Sequence, residues 1–214
     1  MHSLSDLVER ITELRERQAA SQAAQPATGQ TGRVLLGITG PPGAGKSTLA
    51  QRLGALLPGA AVLGMDGFHI ADRELRRLGL RDRKGAPETF DRAGFASLIE
   101  RLRGGRDEVF APVFHRSIED AIAAEQRIGP EVDTVITEGN YLLNWPEVAV
   151  LLDEVWYLDP PTDERVRALI ARHVEFGKTP DEASSWVMRS DERNAEFIAG
   201  RRADADVVLV WADL

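Results

Sequence analysis

The stretch Val34-Leu35-Leu36-Gly37-Ile38-Thr39, followed at once by Gly40-Pro41-Pro42-Gly43-Ala44-Gly45-Lys46-Ser47-Thr48, decides how the rest of the chain is read. The first six residues form the kind of continuous apolar run expected of a strand buried on both faces. The first eight of the next nine fit G-x-x-x-x-G-K-[ST], a loop that cradles phosphate. Glycines let successive backbone N–H groups turn inward toward phosphate oxygens with no Cβ in the way. Leu49, Leu53, Leu56 and Leu57 then give the following segment the apolar face of a helix. The positive N-terminal end of that helix points at the same anion. Gly40 through Thr48 are therefore expected to bind a nucleotide, with Lys46 on the β- and γ-phosphates and the Ser47 hydroxyl on magnesium.

Working outward, four more short apolar runs read as strands: Ala61–Met65, Thr134–Thr137, Val155–Leu158 and Val207–Val210. Helical periodicity occupies Lys46–Leu57, Phe95–Arg103, Asp163–Glu175 and Asp181–Ala199. Strands interleaved with helices imply an α/β fold with parallel pairing and right-handed crossovers. Residues 67–129 are too long for one crossover and read as an acceptor-side insertion around the mouth of the site. Upstream, Leu4, Leu7, Val8, Ile11 and Leu14 recur at helical spacing, so residues 1–18 are expected to form an amphipathic helix with Ser3 or Ser5 as N-cap. Residues 19–32, small and polar with Pro and Gly, read as a linker. Residues 33–214 form the main domain.

Bulk properties limit the function. The chain has 214 residues with 43% hydrophobic and 28% charged content, enough for one α/β domain with a soluble surface. A net charge of -8 argues against a nucleic-acid partner, whose phosphate backbone demands clustered Lys and Arg. There is no cysteine, so disulfides, thiolate metal sites and Cys nucleophiles are excluded. No apolar run is long enough for a transmembrane helix, and the acidic N-terminal segment resembles neither a secretory signal nor a transit peptide. The expected location is the cytoplasm, with no membrane partner. The four histidines lack metal-ligand spacing, so no structural metal is expected.

A phosphate loop alone also suits a GTPase, a motor ATPase or a nucleotide-binding switch. No Asn-Lys-x-Asp guanine-reading motif and no basic groove are present. Two acids sit at strand ends instead: Asp66 in Met65-Asp66-Gly67-Phe68-His69, and Glu138 in Thr137-Glu138-Gly139-Asn140-Tyr141. Ligands of an open parallel sheet collect at the carboxyl ends of its strands, so both carboxylates are expected near the phosphates. Phosphoryl transfer needs one group to accept the hydroxyl proton and others to serve magnesium, directly or through water, and either acid can fill either task.

The segments MDGFH, RKGAPETFD (Arg83–Asp91), APVFHRSIEDAI (Ala111–Ile122) and TEGNYLL (Thr137–Leu143) carry a resemblance. So does the later pattern Arg172-His173, Gly177, Trp186, Asp191 and Asn194-Ala195. Together they resemble the uridine kinase, phosphoribulokinase and bacterial pantothenate kinase family, in its bacterial nucleoside- or fructose-kinase-like branch, from about Arg33 onward. The resemblance implies a P-loop kinase fold with a five-stranded parallel core and a mobile lid, placed at about residues 165–185. It implies ATP and Mg²⁺ as cofactors, Asp66 at the position of the base, and Glu138 as the acid that assists magnesium or substrate. The hydroxyl acceptor is then a nucleoside, a fructose-like sugar or a pantothenate-like metabolite, and a non-kinase switch or ATPase is the alternative. His69, Arg83, Arg116, Glu138, Asn140 and Tyr141 are the expected acceptor contacts, with Lys84 a weaker candidate. Arg165 and Arg172, seven apart on one helix, share a face away from its apolar stripe; Arg172 is the favoured lid arginine, with Arg165 the second choice. A homodimer is compatible with all of this.

Overall fold

The computed structural model describes residues 3–24, 33–104 and 107–210. Five parallel strands form the central sheet: β1 (Val34–Thr39), β2 (Ala60–Gly64), β5 (Thr134–Glu138), β6 (Glu154–Leu158) and β7 (Val207–Leu209), in the order β2-β5-β1-β6-β7. A separate antiparallel hairpin pairs β3 (Val109–His115) with β4 (Asp120–Ile128). All five strands of the parallel core lie where the apolar runs placed them, within a residue or so at each end. The order reverses beside β1, which pairs with β5 on one side and β6 on the other. That crevice, at the strands' carboxyl ends, is where an open α/β sheet receives ligands.

Side chains on successive strand residues point to opposite faces. Leu35, Leu63, Val135, Val155 and Tyr157 fill one core. Leu36, Ile38, Ile136, Trp156 and Leu158 fill the other. On the second face lie α1 (Leu4–Ala24) and α2 (Lys46–Leu56), which bury Leu7 and Ile11, and Leu49 and Leu53. After the short α3 (Asp72–Arg77), the first face is covered by α4 (Arg92–Gly104), whose Phe95, Leu98, Ile99 and Leu102 join that core. The region 67–129 is therefore not only an insertion at the cleft mouth. Its helix α4 supplies part of the layer covering the sheet, because Leu and Phe at helical spacing need an apolar surface to bury against.

The N-terminal helix follows its apolar stripe, with Leu7, Ile11 and Leu14 buried. Ser3 caps it: Asp6 N donates to Ser3 Oγ at 3.2 Å, and Ser3 N donates to Asp6 Oδ2 at 2.8 Å. The helix runs to Ala24 and so overturns the expected linker from residue 19. Alanine has the highest helix propensity, and Ala19, Ala20, Ala23 and Ala24 extend the helix rather than ending it. The rest of the expected linker, 25–32, lies outside the described residues. Arg10 ties the helix to the sheet through Glu154, at 2.7 and 3.0 Å. Glu154 also accepts from Trp156 Nε1 at 2.9 Å.

After β5 come a short α5 (Pro146–Ala149), then β6 and α6 (Thr162–Glu175). The helix expected over Asp181–Ala199 is three joined pieces: α7 (Pro180–Trp186), a π-helical stretch (Val187–Asp191) and α8 (Glu192–Ala199). Thr179 starts α7 with a capping box to Glu182. Among the described residues, no helix is long and apolar enough to cross a membrane.

Arg33, just before β1, is 1% exposed and donates to the carbonyls of Val132, Leu102 and Gly129 at 3.0, 3.0 and 3.1 Å. It holds the ends of β5's approach and of α4 against β1. Arg33→Leu leaves those carbonyls without their donor and should cost about 3 kcal/mol or more. Thermal unfolding should then show a Tm lowered by roughly 6–12 °C.

Candidate active site

The chain turns immediately after β1. Gly40 has φ +145°, and a Cβ there would lie 2.5 Å from the Leu158 carbonyl oxygen of β6. Gly43, at φ +80°, is crowded by α6: a Cβ would meet Leu169 Cγ at 2.6 Å and the Arg165 carbonyl at 3.1 Å. Only glycine lets the strand and the helix close on the turn this tightly. Helix α2 then begins at Lys46, directing its first amides toward the loop. Lys46 is buried, and its Nζ donates to the carbonyls of Gly40 and Pro41 at 2.9 and 3.0 Å. Loss of solvent lowers its pKa to about 8, with Glu138 and Asp66 opposing the shift.

Glu138 ends β5 in register with Gly64 of β2 and Ile38 of β1, so it stands beside the loop's entry. Its Oε1 accepts from Ser47 Oγ at 3.0 Å. Loss of solvent, reinforced by Asp66, pushes its carboxyl up to about 7, against Lys46 and the Ser47 hydrogen bond. A hydroxyl and a carboxylate this close make a hard oxygen pair of the kind magnesium takes alongside phosphate and water oxygens. Among the described residues there is no group of three or more His, Cys, Asp or Glu able to hold a metal by themselves. The donor set therefore fits an ion that arrives with a nucleotide.

Asp66 belongs to a short 3₁₀ turn, Met65–Phe68, directly after β2. Arg116, from the turn of the β3–β4 hairpin, lies 3.5 Å from its Oδ2, and His69 Nε2 lies 3.9 Å from its Oδ1. The His69 ring stacks on Phe90 at 3.9 Å between centroids and leans on Phe114 at 5.1 Å. Burial in this aromatic slot lowers its pKa, with Asp66 opposing, so the imidazole is held neutral. Arg172 of α6 enters from the other side. Burial first, then Arg116, pushes its guanidinium below the usual value, while Asp191, Asp66 and Glu138 draw it back.

These groups share one cleft of about 640 Å³. Gly43 through Thr48 line it on the side of the loop, and Asp66, His69, Arg116, Glu138, Asn140 and Arg172 also face it. Gly40, Pro41 and Pro42 form the back of the loop, where their carbonyls accept from Lys46 and, at 3.2 Å for Pro42, from Arg165. Asn140 is fixed through its carbonyl, which accepts from Thr39 Oγ1 at 3.1 Å.

Three expectations are corrected. Arg83 does not line this cleft; it pairs with Glu88 and borders a smaller cavity beyond Gly85. Its neighbour Lys84 turns inward instead, buried 2.9 Å from Asp72 Oδ1 and 5.4 Å above the Phe114 ring. Asp72 decides this, since it also accepts from Arg76 and Arg81, both at 2.7 Å, and gathers the whole turn around one acid. Tyr141 is not a cleft residue either. It is fully buried, packs against Phe90 and Trp145 and donates to the Gly85 carbonyl at 2.6 Å, so it supports the cleft from behind. Arg165 is not part of a free lid. It is 5% exposed, bound to Pro42 and paired with Glu192 at 2.6 Å, because it shares with Leu169 the α6 face that packs under the loop. Sequence reasoning assigned no task to His173, Trp186, Asp191 or Asn194, all of which line the cleft. Their recurrence in one late pattern was the available signal.

Comparison with known proteins bears on the family and the fold. The Phosphoribulokinase / Uridine kinase family matches residues 35–211. A uridine kinase candidate of Schizosaccharomyces pombe is 34% identical over 197 residues, covering 83% of each chain. The pantothenate kinase of Mycolicibacterium vanbaalenii is 34% identical over 163 residues, 71% of this chain and 52% of that one. The chain thus spans about half the length of that enzyme. A crystal structure of a fructose transport system kinase candidate from Silicibacter sp. TM1040 superposes with TM-score 0.84 at 34% identity, over 98% of this chain and 100% of that one. The fold is that of a P-loop kinase, and the activity class is phosphoryl transfer to an alcohol group. With its phosphate loop, its parallel sheet and its sequence in agreement, the chain belongs to the phosphoribulokinase/uridine kinase family.

Proposed function

We propose that the chain transfers the γ-phosphoryl group of Mg·ATP to a hydroxyl of a small polar metabolite: a nucleoside, a fructose-like sugar or a pantothenate-like molecule. One observation carries this reading. A single cleft holds the phosphate loop on one wall and, on the other, a carboxylate flanked by arginines from two separate elements.

In this mechanism the loop amides and Lys46 hold the polyphosphate. Ser47 and Glu138 are the groups that would hold magnesium, which when bound offsets phosphate charge. Asp66 accepts the proton of the acceptor hydroxyl as its oxygen bonds to the γ-phosphorus. The bond to the β–γ bridging oxygen breaks, and its electron pair leaves with ADP. Arg172 and Arg116 face the charge that spreads over the transferred group, where fixed positive charge lowers the barrier. Arg116, 3.5 Å from Asp66 Oδ2, also helps to hold that carboxylate in place. The expected lid centres on Gly177, which takes φ +97° where α6 gives way to α7.

The test is ADP release by the purified chain with Mg·ATP and uridine, fructose or pantothenate in turn. A kinase releases ADP only when an acceptor is added; acceptor-independent release, or none with any of the three, counts against the proposal. Asp66→Asn should lower kcat by about 10²–10⁴ while leaving ATP binding nearly intact. A variant with near-normal turnover transfers the base role to Glu138. Arg172→Ala should lower kcat by roughly 10²–10³ with little change in the KM for ATP, and unchanged turnover removes it from the mechanism.

The pH dependence has a defined sign. The Glu138 carboxyl keeps its proton up to about pH 7 and must lose it before serving a cation with Ser47. Affinity for Mg·ATP should therefore rise as pH increases through about 7 and weaken below it. In Glu138→Gln this titration should vanish from a calorimetric binding profile.

A further inference from the structure

Asp191 is a buried acid that the transfer mechanism leaves without a task. It ends the π-helical stretch Val187–Asp191, is 9% exposed and lines the cleft together with His173. Single π-helical turns within α-helices recur at functional sites. The Oδ2 of Asp191 lies 3.0 Å from His173 Nε2. Its Oδ1 has no hydrogen-bond partner among the described residues. Nor is that oxygen sealed away, since the side-chain polar atoms buried without partners there are His69 Nδ1 and Asn144 Oδ1.

The carboxylate is fixed through one oxygen and open to the cleft through the other, with the Arg172 charge nearby, so a donor on an entering molecule can reach it. The arrangement is also rigid. Glu192, the next residue, pairs with Arg165 at 2.6 Å, so two consecutive acids grip α6 at positions eight residues apart. Asn194, three residues on, shares the cleft wall and turns its Nδ2 to the Gly85 carbonyl at 3.3 Å. An ionised carboxylate is an acceptor only, so its complement is an O–H or N–H and not an anion.

Resting on the kinase reading above, we propose that Asp191, oriented by His173, accepts a hydrogen bond from a second hydroxyl of the acceptor. The molecule phosphorylated then carries at least one hydroxyl besides the reacting one, as a free sugar or a nucleoside does. Asp66 takes the proton of the reacting hydroxyl, and Asp191 reads another. A role in which Asp191 only latched α6 would alter stability or kcat and would be indifferent to the acceptor's hydroxyls.

The experiment is calorimetric titration of D-fructose and of uridine into the chain holding magnesium and a non-hydrolysable ATP analogue. Each probe is compared with its monodeoxy analogues. Wild type should bind one probe and lose about 10–100-fold in affinity for the analogue lacking the hydroxyl that is read. Asp191→Asn should lose a similar factor for the parent and no longer distinguish the two, with its Tm near that of wild type. If Asp191→Asn does not fold, His173→Ala should shrink the discrimination and His173→Gln, which keeps a donor, should restore it. Undiminished discrimination in Asp191→Asn or in His173→Ala, losses that simply multiply, or no binding of either probe by wild type overturns the assignment. The kinase reading fails by a different sign: discrimination by binding is present, but no acceptor-dependent ADP release is seen.

Discussion

The turn after β1 is squeezed between two pieces of backbone. The Leu158 carbonyl presses on Gly40, and the Arg165 carbonyl and Leu169 press on Gly43. This close approach fixes more than the phosphate loop. It seats α6 directly behind the loop, and α6 then delivers Arg172 and His173 to the cleft about two turns beyond Arg165. The same contact explains why Arg165 is buried, since its guanidinium satisfies the Pro42 carbonyl that the turn leaves facing inward. Phosphate grip and arginine placement are thus one packing decision.

Around that turn the charges lean on one another. Lys46 loses solvent and its pKa falls, Glu138 loses solvent and its pKa rises, and each resists the other's shift. Asp66 and Arg116 face each other at 3.5 Å, near the outer limit of an ion pair, so neither is locked. A chain of net charge -8 has gathered Lys46, Lys84, Arg116 and Arg172 at one cleft, which focuses positive potential where an anionic nucleotide must enter. The overall acidity is a property of the surface, not of the site.

Much of this was legible from residue order, for identifiable reasons. Strands buried on both faces read as unbroken apolar runs, so all five parallel strands stood out, as did the loop whose glycines have no substitute. The β3–β4 hairpin did not, because most of β4 faces solvent and Pro112 interrupts the alternation of β3. The reach of α1 was underestimated because alanine reads as filler in a linker and as a strong former in a helix. Arg83 and Lys84 are adjacent cations, and nothing local says which turns inward; Asp72, 12 residues earlier, makes the choice. Tyr141 shows the same limit. Its place beside Glu138 suggested the cleft, yet aromatic packing with Phe90 and Trp145 took it into the core.

The β3–β4 register shifts between Ala111 and Val113, at a proline that has no N–H to give the ladder. The Pro112 carbonyl is thereby turned against Gly67, where a Cβ would come within 2.4 Å of it. The turn bearing Asp66 and the hairpin bearing Arg116 are consequently mated surfaces, like a tongue in its groove. Anyone recasting this scaffold for a new acceptor would have to transplant both halves of that joint at once, because a foreign hairpin would no longer seat the turn that carries Asp66.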